Sequence, residues 1–90
     1  MKTTKLKIVG IGERISGVKA NGQPYDFAKV AFLYPDAKIA GWNAAVCTLS
    51  GAELDEMKVV PNCEVDCFLL YKQVSKFERV AYIGGIVRRY

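Results

Sequence analysis

Lys19-Ala20-Asn21-Gly22-Gln23-Pro24-Tyr25-Asp26-Phe27-Ala28-Lys29-Val30-Ala31-Phe32-Leu33-Tyr34 carries a β-hairpin in its residue types alone. Asn21-Gly22 supplies two residues that tolerate positive φ, as a type I′ turn requires. The extended run Tyr25–Tyr34 then alternates. Ala28, Val30 and Phe32 share one face, while Tyr25, Phe27 and Lys29 share the other. Pro35-Asp36 ends it.

The same alternation extends in both directions. Upstream, Lys5–Gly12 puts Leu6 and Ile8 on one side and Lys5, Lys7 and Val9 on the other. A short extended segment, Glu13–Val18, leads into the turn. Downstream, Trp42–Leu49 is a further strand. Ser50-Gly51-Ala52-Glu53 has capping-box spacing and opens a helix of one or two turns over Leu54–Met57. After Pro61-Asn62, Cys63–Val74 and Phe77–Val87 form a late hairpin turning at Ser75-Lys76. Gly84-Gly85 predicts a bulge or sharp bend in its second strand. This pattern predicts an all-β fold with minor α content. The expected architecture is a five-stranded OB-type Greek-key β-barrel with one short helix, a single domain over residues 1–90. The match requires Lys5–Val18 to be one long strand bent at Gly10 and Gly12. An SH3-like barrel is the competing architecture.

Composition narrows the function classes. The chain has no His, which removes the commonest general base and metal ligand. Three cysteines make no disulfide framework. Cys63 and Cys67, four apart on a strand, would be about 13 Å apart, too far for one metal or one disulfide. Gly10-Ile11-Gly12 lacks the third glycine of a dinucleotide loop, because Ile15 occupies that position. Glu53, Asp55 and Glu56 read as a solvated acidic face without an enclosing pocket. The chain is therefore expected not to be an enzyme and to use neither cofactor nor metal. No apolar run reaches membrane-span length and the opening residues lack a signal-peptide core, so a cytoplasmic location without membrane contact is expected. The net charge is +4, unevenly spread. Residues 53–66 hold five acidic side chains against Lys58, leaving twelve basic and four acidic residues elsewhere, a balance suited to a polyanion.

Tyr25, Phe27 and Lys29 together suit single-stranded nucleic acid: bases stack on rings and the cation meets phosphate. The alternative is that the rings fill a second core layer and Lys29 snorkels out. Arg14 and Lys19 make the hairpin a basic wing, or it is a plain solvated turn. Trp42 stacks a base or anchors the end of the barrel. Lys76, Phe77 and Arg79 place an aromatic between cations at the late hairpin tip. Cys67-Phe68-Leu69-Leu70-Tyr71 is apolar on both strand faces, which implies cover by a second chain as well as by its own core.

Arg14-Ile15-Ser16-Gly17-Val18, Gly22-Gln23-Pro24-Tyr25-Asp26-Phe27 and Phe32-Leu33-Tyr34-Pro35-Asp36 resemble the DNA-binding wing of the gene V-type proteins of filamentous bacteriophages. That resemblance implies an OB-type homodimer that coats single-stranded phage DNA cooperatively during DNA replication, in the cytoplasm of the host. It also implies that Tyr25, Phe27, Tyr34 and Phe77 are nucleic-acid contacts. Arg88 stands nearest the family's C-terminal arginine, and Arg14 and Lys19 one place before its basic wing positions. The expected partners are single-stranded DNA or RNA and further copies of the chain. A small β-barrel protein–protein interaction module and an RNA-binding translational regulator are the alternatives.

Overall fold

The computed structural model describes residues 2–90. Its elements are β1 (Thr4–Ile11), β2 (Ile15–Val18), β3 (Pro24–Pro35), β4 (Trp42–Ser50), α1 (Gly51–Glu56), β5 (Glu64–Gln73) and β6 (Arg79–Arg89). All strand pairs are antiparallel. The sheet runs β2-β3-β1-β5-β6, with β4 also paired to β3. The fold is thus all-β with one short helix.

The core follows the alternation. Leu6 and Ile8 from β1, Ala28, Val30, Phe32 and Tyr34 from β3, Val65 and Cys67 from β5, and Ala81 and Ile83 from β6 are buried. Leu49, Leu54, Val59 and Cys63 close the helix end. Each large apolar side chain so buried contributes about 1.5–3 kcal/mol relative to exposure.

Two expectations are corrected in the first half. Lys5–Val18 is not one bent strand. β1 carries a bulge between Ile8 and Gly10, then breaks, and β2 resumes alongside the start of β3. Both segments line the same edge of β3, so the sheet has six strands instead of five. The bulge shifts the alternation by one residue and brings Ile11 onto the core. The turn is not type I′ either. Only Gly22 has positive φ, at 84°. Gly22 N–H donates to Lys19 C=O at 2.9 Å, and Lys19 N–H donates to Gln23 C=O at 2.8 Å. Those contacts describe a three-residue loop ending in a left-handed glycine.

At α1, Ser50 Oγ accepts from Glu53 N–H at 3.2 Å, as the capping spacing predicted. The Glu53 carboxylate does not complete the box; it accepts from Ile86 N–H at 2.8 Å and ties α1 to β6. Gly84-Gly85 lies where the β5–β6 register jumps from Leu69↔Ile83 to Cys67↔Ile86. A Cβ on Gly84 would stand 2.4 Å from Leu70 Cδ1. Phe68 and Leu70 lie over these glycines and are half-buried, so part of the two-sided cover of Cys67–Tyr71 comes from within the chain.

β4 and β6 come side by side without a hydrogen-bonded ladder. A shallow groove lined by Val46, Cys47, Thr48, Lys72, Val80 and Tyr82 runs between them. The sheet is therefore open along this seam. Among the described residues no helix is long and apolar enough to cross a membrane.

Candidate nucleic-acid interface

β3 has a core side and an outer side, and Tyr25, Phe27 and Lys29 all lie on the outer one. The rings are half-buried, 6.1 Å apart between centroids and inclined by 36°. Tyr25 lies across Gly17 of β2, its cross-strand partner: a Cβ there would sit 2.5 Å from the phenol oxygen. The glycine gives the ring a seat that no other residue type would leave open. Lys29 is exposed beside Thr48 of β4. Ala31 and Leu33 continue the outer row opposite Val46 and Ala44, and the row ends where Pro35 pairs with Trp42. Trp42 is 53% exposed. From Tyr25 to Pro35 the strand advances about 33 Å at ~3.3 Å per residue.

Lys19 sits exposed in the wing turn. Arg14 does not serve the wing as a free cation. Its guanidinium donates to both carboxylate oxygens of Asp26, at 2.6 and 2.7 Å, and to both of Asp55, at 3.0 and 2.9 Å. The shared cation holds both carboxyls below the usual carboxylate range and raises the guanidinium further. Gly51 makes room for the cluster, since a Cβ there would stand 2.1 Å from Asp26 Oδ2. Arg14 thus clamps β2 and β3 to α1. With Glu53 on Ile86 and Asp55 on Arg14, the acidic face of α1 is a set of ties and not simply a solvated surface.

The other end of β3 carries a second cluster. Phe77, at the tip of the β5–β6 turn, is 91% exposed, with the Lys76 ammonium 5.7 Å from its ring centre. The Arg79 guanidinium lies 4.8 Å over the ring of Tyr71. Tyr34 is corrected. It faces the core with Phe32, is 5% exposed, and stands edge-on to Tyr71 at 6.4 Å. Only its phenol end reaches the surface side, where Asn43 Nδ2 donates to it at 2.9 Å; burial pushes its pKa up. A hollow of about 230 Å³ opens here, lined by Tyr34, Asp36, Lys38, Asn43, Tyr71, Phe77 and Arg79. Asp36, Lys38, Asn43 and Tyr71 were not among the predicted site residues. The Asp36-Ala37-Lys38 turn, in which Asp36 Oδ1 accepts from Lys38 N–H at 3.0 Å, was their one visible sign.

Arg88 belongs to neither cluster. It lies 5.0 Å over the ring of Tyr90, which also faces the Lys5 ammonium and donates its hydroxyl to Asp66. β6 is three strands from β3, about 14 Å across the sheet. Among the described residues, ion pairs involve only Lys5 and Arg14 as cations, so Lys19, Lys29, Lys76, Arg79 and Arg88 keep unpaired charges.

No family model, curated protein or solved structure matches the chain. The three cysteines are free. Cys67 is enclosed among apolar side chains, and its thiol is pushed up to about 12. Among the described residues no three Cys, Asp or Glu side chains converge as a metal site would require.

Proposed function

We propose that this chain binds single-stranded nucleic acid, DNA in the first instance, largely without regard to sequence. The strand lies along the outer face of β3 and β4 between two hairpins. The observation that carries the proposal is that Tyr25, Phe27 and Lys29 share the side of β3 opposite to the one that becomes core from Ala28 to Tyr34. Rings offer sequence-tolerant stacking and Lys29 offers charge, with Lys19 at one end and Lys76, Arg79 and Trp42 at the other.

The strand order supports the same reading. Counting β1 and β2 as one interrupted strand, the path β4-β3-β1-β5-β6 with α1 between β4 and β5 is the order that a partly open OB barrel would have. In such barrels the second and third strands and the turns corresponding here to β2–β3 and β5–β6 take up oligonucleotides. The likeness of residues 14–36 to the gene V-type wing points the same way, toward a homodimer coating phage DNA in cooperative arrays. The exposed Phe77 and the half-covered Phe68 and Leu70 favour contact with further copies of the chain.

The deciding experiment is a titration with oligothymidine at several salt concentrations, followed through Trp42 and the tyrosines, with duplex DNA and oligouridine alongside. Affinity should fall with salt at a log–log slope of about −0.7 per phosphate neutralised. Equal affinity for duplex and single strand, or none for either, overturns the proposal. A marked preference for one RNA homopolymer assigns the chain to RNA regulation instead. Light scattering with and without oligonucleotide reads the self-assembly.

A further inference from the structure

The hollow between the β3–β4 loop and the β5–β6 hairpin has features that general strand coating does not require. At about 230 Å³ it is smaller than pockets for drug-sized ligands, ~300–1,000 Å³, and is on the scale of one nucleobase. One wall is a hydrogen-bonding edge. Asn43 Nδ2 donates at once to the Tyr34 hydroxyl, at 2.9 Å, and to Asp36 Oδ2, at 3.1 Å, so phenol and carboxylate stand side by side. Asn43 Oδ1 is engaged with its own backbone, accepting from Ala44 N–H at 2.8 Å. The Tyr34 hydroxyl accepts from Asn43, and its own proton has no acceptor among the described residues. Each Asp36 oxygen accepts one donor and keeps a lone pair. The wall therefore offers one donor beside two acceptors. Aromatic surface flanks it: Phe77 presents an open ring, and Arg79 covers Tyr71 as a cationic plane. Lys38 and Arg79 balance the carboxylate.

We infer that this hollow is a base pocket selective for guanine, with the Tyr34 hydroxyl donating to O6, Asp36 accepting from N1–H and N2–H, and Phe77 stacked on the ring. The inference rests on the single-strand reading and adds a base preference at one position of the path. Guanine alone presents an acceptor next to two donors on its pairing edge. Adenine in the same pose would turn an amino group toward the hydroxyl and a lone pair toward the carboxylate. Thymine satisfies O4 and N3–H but sets O2 against an Asp36 oxygen. Neighbouring donors keep the Asp36 carboxyl ionised well into acid, and burial keeps the Tyr34 phenol protonated, so both groups hold these roles across the neutral range.

The test compares equal-length alternating oligonucleotides, d(TG), d(TI), d(TA) and d(TC), at one salt concentration, on the wild type, Tyr34→Phe and Asp36→Asn. Wild type should favour d(TG) over d(TA) by at least about fivefold, the low end of what a bidentate base contact supplies. Inosine, which lacks the N2 amine, should fall between. Each variant should shrink the preference to about twofold or less while still binding all four sequences. Equal wild-type affinities for d(TG) and d(TA) overturn the pocket and leave the coating proposal standing. If no oligonucleotide binds, the coating proposal fails. The pocket is then decided by NMR titration with guanosine and adenosine 5′-monophosphates. Shifts at Lys38 and Asn43 at lower concentration of the guanosine compound support it, and equal or absent shifts overturn it. The same titration distinguishes a free guanine nucleotide from a base within a strand as the preferred occupant. Should either variant melt early, the wild-type comparisons still decide.

Discussion

Replacing Phe77 by alanine separates stacking from both folding and charge. The ring is 91% exposed at a turn tip, so its removal deletes almost no packing. Thermal stability should change by no more than about 0.5 kcal/mol, as for surface substitutions free of special contacts. A base stacked on an aromatic ring contributes about 1–3 kcal/mol by alanine substitution. Affinity for oligothymidine should therefore fall about 5- to 150-fold. No cation is touched: Lys76, 5.7 Å from the ring, keeps its charge. The log–log salt slope should thus stay at its wild-type value, with parallel lines displaced vertically. The assay is fluorescence titration at four salt concentrations, paired with a melting curve. Unchanged affinity, or a loss that arrives with a matching loss of melting temperature, would refute the assignment of Phe77 to base stacking.

Lys29→Ala and Lys19→Ala should each lessen the salt slope by about 0.7 if one phosphate contact is lost, and salt-dependence titrations read this directly. Arg14→Met should leave that slope unchanged, since its charge is already shared by Asp26 and Asp55. Both carboxyls are depressed in the folded chain, so their stabilisation is present above the ordinary Asp pKa of about 3.9 and fades as pH falls through the lower folded values. Denaturation from pH 7 to pH 2 should show that acid-side loss in wild type and a flatter profile in Arg14→Met. Cys67, with its thiol at about 12, should resist alkylation at pH 8 in the native chain, while Cys47, which lines the seam groove, reacts first; mass spectrometry of partly alkylated protein gives the order.

The alternation of side chains made the strands and their faces legible. From Ala28 to Tyr34 the even-numbered residues of β3 are buried and the odd-numbered ones are not, as the alternation required; in the wing, Pro24 and Asp26 are exposed and Tyr25 and Phe27 half-buried. The same parity applied to Tyr34 would have put it in the core. Its ring is in the core as that parity requires, and only the phenol end reaches the hollow. Positions set by contacts distant in the chain were hidden. Arg14 meets carboxylates 12 and 41 residues away, and nothing local to Arg14 marks it as spoken for. The break after Ile11 was legible, since Lys5–Gly12 and Glu13–Val18 read as separate segments, and only the five-stranded match required them to be one strand; the three-residue turn was hidden, because Gly22 permits several backbone paths. The hollow near Asn43 needed two loops brought together and had no contiguous motif.

The unladdered seam between β4 and β6 gives the sheet a direction of compliance. Widening it parts Val46 from Val80 and Tyr82 without severing an interstrand backbone bond. Every other neighbouring pair of strands is stitched by its peptides. Breathing motions of this molecule should concentrate along that line, leaving the curvature of β3, and the spacing of the rings on it, nearly constant.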